Sequence, residues 1–97
     1  MKLSKVTKKL NNKLLNTLQT LQSQVSQQLN GFVKLEHTVQ FDLFPSSLLV
    51  TCYFENDSLL AQAKASERLF QKQLHKLLFK QGILLKDPSH NLNFCTQ

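Results

Sequence analysis

The spacing of apolar residues changes period at Gly31, and that change decides most of what the chain can fold into. Before it, Leu3, Val6, Leu10, Leu14, Leu18, Leu21, Val25 and Leu29 recur at steps of three and four, the apolar stripe of one long amphipathic helix. From about Ser4 to Asn30 such a helix would run roughly 40 Å at 1.5 Å per residue, longer than a domain of this size comfortably covers. Residues 1–9 are therefore expected to overhang as a basic helix end. After Gly31 the period becomes two: Val33, Leu35, His37, Val39, Phe41 and Leu43 alternate with Lys34, Glu36, Thr38, Gln40 and Asp42. This predicts a half-buried strand from Phe32 to Leu43. Phe44-Pro45-Ser46-Ser47 supplies a turn. In a second strand Leu48, Val50, Cys52 and Phe54 alternate with Leu49, Thr51, Tyr53 and Glu55, and apolar groups on both of its faces place it centrally in a sheet.

Asn56-Asp57-Ser58 is a cluster of helix N-cap residues and Gly82 a natural stop, which together bound a second helix of about 23 residues. Leu59, Leu60, Ala63, Phe70, Leu74, Leu77 and Leu78 fall on one arc of it. Ile83 to Leu85, then Leu92 and Phe94 after the Asp87-Pro88 turn, form a last extended segment. The expected fold is α+β, a small sheet of two to three strands packed against two helices in the order α-β-β-α-β, as a single domain over residues 1–97. At 97 residues such a domain buries a core without disulfides or a metal. Cys52 and Cys95 form no disulfide framework or zinc motif and are read as reduced, buried thiols. The basic start has no apolar signal core and no stretch approaches 18 apolar residues, so a cytoplasmic protein with no membrane insertion is expected.

Charge points toward function. Lys64, Arg68, Lys72, Lys76 and Lys80 repeat at four-residue spacing, which lines them along one slowly drifting stripe of the second helix, opposite its apolar arc. Like charges at that spacing destabilise an isolated helix by roughly 0.2–0.5 kcal/mol per pair, and Glu67 is the only acid between Ser58 and Lys86 to relieve them. The stripe reads either as a solvated face or as a footprint for a polyanion. Lys5, Lys8, Lys9 and Lys13 add charge near the start of the first helix, with no acid before Glu36; they read as a frayed basic end or as an auxiliary anion contact. Lys and Arg outnumber Asp and Glu by 12 to 6, so nucleic acid, an anionic membrane or an acidic protein are the candidate partners. Tyr53, if it lies on the outer sheet face, is the candidate for base stacking.

Catalysis finds little footing. His37, His75 and His90 are scattered without ligand spacing, and the six acids form no acid–base pair. His37 falls on the apolar face of its strand and His75 beside the basic stripe. With only Gly31 and Gly82 there is no P-loop, GxGxxG or GXXG cradle, so anions must be held by side chains. No catalytic residue, metal site or cofactor is expected.

The element order resembles the type II KH-like arrangement. Leu35-Glu36-His37-Thr38-Val39, then Leu48-Leu49-Val50-Thr51 leading into Asp57-Ser58-Leu59-Leu60-Ala61, then Leu69 and Leu74 resemble the N-terminal domain of the DciA family of bacterial replicative-helicase loaders. The family often carries a Trp near the start of the second helix, followed by an apolar–basic pair; here Leu60 or Ala61 stands in the Trp position and Ala63-Lys64 is the nearest match to the pair. The resemblance implies DNA replication as the setting and a replicative helicase as a protein partner. The expected function is a non-enzymatic nucleic-acid-binding module, single-stranded DNA favoured. The alternative is an interaction adaptor or homo-oligomer assembling through the Leu stripe of the first helix. A third reading, attachment to a membrane surface by the basic N-terminus, is weakened by the lack of Trp and by the uncharged polar face beyond Lys13.

Overall fold

The computed structural model describes the backbone from Lys5 to Gln97 and side chains from Lys8 onward. Helix α1 (Lys5–Gln28) follows the first stripe. Leu14, Leu18, Leu21 and Val25 are buried and Leu10 and Leu29 pack against them, while Leu3 and Val6 lie outside the described side chains, as does most of the overhang expected for residues 1–9. Gly31 ends the segment at φ +80°, and a Cβ there would lie 2.5 Å from Leu59 Cδ1. Both the backbone conformation and the close approach of the later helix demand glycine.

Strand β1 (Phe32–Thr38) pairs antiparallel with β2 (Leu49–Phe54), which pairs parallel with β3 (Leu92–Thr96), so β2 is central, as its two apolar faces predicted. The fold is α+β, with a third helix beyond the two expected. Two departures mark the first strand. The register shifts between Phe32 and Lys34, so Phe32 rather than Val33 turns inward, edge-on to Phe54 at 6.1 Å, and Val33 is left 41% exposed. The strand also stops at Thr38 instead of Leu43. Ser47 Oγ accepts from the Gln40 N–H at 2.9 Å and donates to the Gln40 carbonyl at 2.7 Å, which consumes the backbone groups that would have continued the ladder. Phe41–Leu43 is a 3-10 turn, with Leu43 56% exposed.

The second predicted helix is two helices, α2 (Asp57–Lys64) and α3 (Glu67–Phe79). Asn56 caps α2 by accepting from the Leu59 N–H at 2.9 Å, and Asn56→Ala should cost about 1 kcal/mol in urea unfolding. At Ala65–Ser66 the Ser66 N–H turns back to the Ala63 carbonyl at 2.8 Å, and the chain bends. A straight helix of 23 residues would run about 35 Å and leave a sheet whose strands are five to seven residues long. The bend keeps α2 on β2 and β3, and α3 on β3 beside α1. Gly82, at φ +81°, ends the run, with the Ile83 N–H returning to Leu78 O at 3.0 Å. Ile83 and Leu85 are buried but belong to no strand.

All helices lie on one sheet face, where Val50, Cys52, Phe54, Leu92 and Phe94 meet Leu14, Leu21, Phe70, Leu74 and Leu78 in one core. The other face carries Lys34, Glu36, Leu49, Thr51, Tyr53, Asn93 and Cys95, all exposed or half-buried. Cys95 is thus not buried as expected, because its odd register in β3 turns it outward opposite Tyr53. Both thiols are free. The outer edge of β3 is closed by α3: Gln71 Nε2 donates to Leu92 O at 3.0 Å and Glu67 Oε2 accepts from the Phe94 N–H at 2.8 Å, which blunts an edge otherwise open to pairing.

Candidate nucleic-acid interface

Burial of Phe70, Leu74 and Leu78 against the sheet fixes the rotation of α3. Residues about 180° from that arc must point to solvent, and Arg68, Lys72, Lys76 and Lys80 are all exposed there. None of the four makes an ion pair among the described residues. They advance about 6 Å per step along the axis, with Lys80 capping the C-terminus of α3, where a cation also meets the negative end of the helix dipole.

Lys64 departs from the expected stripe. It ends α2 before the bend, so the ladder on continuous helix has four members. Its Nζ lies 3.0 Å from Glu67 Oε2, the same oxygen that holds the Phe94 N–H. Lys64 therefore balances a structural carboxylate at the sheet edge and has less charge to offer a ligand.

Helix α1 runs antiparallel beside α3. Gln73 Nε2 reaches Gln24 Oε1 at 3.1 Å and Lys13 Nζ reaches Gln81 O at 3.5 Å, which carries Lys13 to the C-terminal end of the ladder. Lys9, one turn earlier and exposed, points away from the sheet; Lys8, also exposed, falls on the flank away from α3. The Lys5 backbone belongs to α1 and its side chain lies outside the described residues. Between Lys13 and Gln28 the exposed face of α1 is Asn, Gln, Ser and Thr, apart from Leu15. The face built by the two helices is thus cationic along α3 and at one end of α1, and neutral elsewhere.

On the other flank Asp87, with Arg68, Gln71, Lys72, Pro88 and Ser89, lines a shallow notch beside α3. Its carboxylate accepts from the Ser89 backbone and hydroxyl. The hydroxyl bond, opposed by some desolvation and aided by the His90 charge, holds its pKa below the usual value. Asp87 is spent on the turn Pro88–His90 that it caps.

Tyr53 does lie on the outer sheet face, which is the wrong side for the ladder: the sheet separates them. Its ring is covered by Lys34, whose Nζ is 5.1 Å from the ring centroid and 2.9 Å from Glu36 Oε1. A shallow depression there is lined by Glu36, Thr38, Leu49, Thr51 and Tyr53. The structure therefore brings Arg68, Lys72, Lys76, Lys80 and Lys13 onto one face, with Lys9 at its end, and leaves Tyr53 apart.

An aromatic residue that the sequence reading passed over does belong to that face. Phe79 follows Leu78 by one residue, hence about 100° off the core arc, and stands 62% exposed. A helical projection of Phe70, Leu74 and Leu78 would have found it. Among the described residues no cluster of His, Cys, Asp or Glu could hold a metal, and no helix is long and apolar enough to cross a membrane.

No protein-family model matches the chain, and comparison with the curated proteins and with the solved structures finds no match.

Proposed function

We propose that the chain is a non-enzymatic module that binds single-stranded nucleic acid, DNA favoured, through the solvent face of α3, with Lys9 and Lys13 as auxiliary contacts. The observation that carries this is the row of four exposed cations, Arg68, Lys72, Lys76 and Lys80, held on a packed helix with no acid paired to any of them among the described residues. Self-repulsion along that row serves no fold and favours a polyanion that spans it. Duplex is the poorer fit. A helix that reads the major groove must protrude into it, whereas α3 is flanked by α1 on one side and by the turn at Pro88–His90 on the other. A setting in DNA replication, with recruitment of a replicative helicase, extends this reading through the DciA-like patches of β1, β2 and α2. Assembly through α1 is the weaker reading, because Leu10 and Leu14 of its stripe already pack into this chain's own core.

A salt-resolved titration against single-stranded DNA tests the proposal. Four phosphates neutralised at about 0.7 each give a slope of log K against log salt near −3. Binding that ignores salt, or that is undetectable at low ionic strength, overturns it.

A further inference from the structure

Burying an aromatic side chain is among the largest single gains available to a small core, yet Phe79 is left 62% exposed, with Leu84 and Leu69 among the most exposed large apolar side chains of the described residues. Its neighbours on the helix surface are His75 one turn back and Lys76 three residues back. The His75 and Phe79 rings lie 6.2 Å apart between centroids at 38°. His75 Nδ1 is buried and has no hydrogen-bond partner among the described residues, and the imidazole packs at a tilt beside the Phe79 ring. The result is a largely exposed aromatic ring, flanked by an imidazole and carried on the helix that bears the cation row.

That combination is what single-stranded nucleic acid requires of a protein: cations that follow the phosphates, and a flat apolar surface on which an unpaired base can lie. A base within a duplex has both faces covered by its neighbours and cannot use such a surface. Tyr53 cannot supply it either, since its ring is covered by Lys34 on the opposite side of the sheet.

We propose that Phe79, flanked by His75, is a base-stacking platform beside the cation row, and that it gives this face its preference for single strands. The inference rests on the reading of the α3 face as a polyanion surface, and the experiment separates the two. The chain contains no Trp, so Phe79→Trp introduces a lone indole at the platform, excited at wavelengths that Tyr53 does not absorb. Its emission should be quenched by an oligothymidine strand and not by an abasic strand of equal length. Phe79→Ala should bind oligothymidine about tenfold more weakly than the parent protein, with unchanged affinity for the abasic strand, an unchanged salt slope and an unchanged melting temperature. If the parent protein binds both strands equally and in a charge-dependent manner, or if Phe79→Ala binds oligothymidine as well as the parent, the platform is overturned and the polyanion surface stands. If the parent binds neither strand at low salt, both ideas fall. If Phe79→Ala instead lowers an oligomeric mass measured by light scattering, Phe79 is a contact between copies of the chain and the platform is again overturned.

Discussion

Arg68→Glu combined with Lys72→Glu is expected to weaken binding of single-stranded DNA by at least about 100-fold at low salt, roughly 2.7 kcal/mol, and to leave the melting temperature nearly unchanged. The loss has two parts: two phosphate contacts disappear, and two anions now repel the strand from the centre of the row. With Lys76 and Lys80 remaining, the salt slope should fall from near −3 to about −1.4. Stability is spared because both side chains are exposed and neither makes an ion pair among the described residues; such substitutions usually stay within about 0.5 kcal/mol each. Position helps as well. Arg68 lies in the first turn of α3, where an acid is favoured by the helix dipole, and this offsets the new repulsion from Asp87 across the notch. A double variant that unfolds would mean that these side chains face inward. One that binds as tightly as the parent would remove α3 from the interface.

What the sequence made legible was what depends on local phase. The stripe through Leu14, Leu18, Leu21 and Val25, the cap at Asn56 and the stops at Gly31 and Gly82 are all short-range signals, and each appears in the fold. Four features could not be read in that way. A one-residue bulge at Val33 turns Phe32 inward in its place and leaves the alternation from Lys34 to Thr38 undisturbed. The bend at Ala65–Ser66 carries no Gly or Pro; it adjoins a tertiary contact, Glu67 reaching Phe94, 27 residues later. The pairing of Lys64 follows from the same contact, so the five-residue stripe lost a member to a tertiary event. The separation of Tyr53 from the cations needed the sheet topology, whereas Phe79 needed only a helical projection and was within reach of the sequence.

The largest effect expected on stability belongs to Cys52. It is fully buried at the centre of β2, opposite Leu35 on one side and Phe94 on the other. Burial pushes its thiol up to about 12 from an ordinary value of 9.0, with smaller contributions from Cys95 and Glu67. Below pH 9 the thiol is protonated in both folded and unfolded chains and contributes no pH dependence. Between 9 and 12 the unfolded chain releases this proton while the folded chain keeps it, so the unfolded state binds fewer protons and stability falls as pH rises. The fall is about 1.4 kcal/mol per pH unit, or about 2 kcal/mol by pH 10.5, a large share of the 5–15 kcal/mol typical of a domain. Urea unfolding of the parent and of Cys52→Ala, both kept reduced, at pH 8, 9, 10 and 10.5 isolates the thiol, because the two proteins differ in that group alone. The parent should lose stability more steeply above pH 9 by that increment. Parallel curves would mean that the thiolate is solvated in the folded chain. In that case the core beneath Phe94, on which Glu67 and the start of the cationic helix rest, admits water.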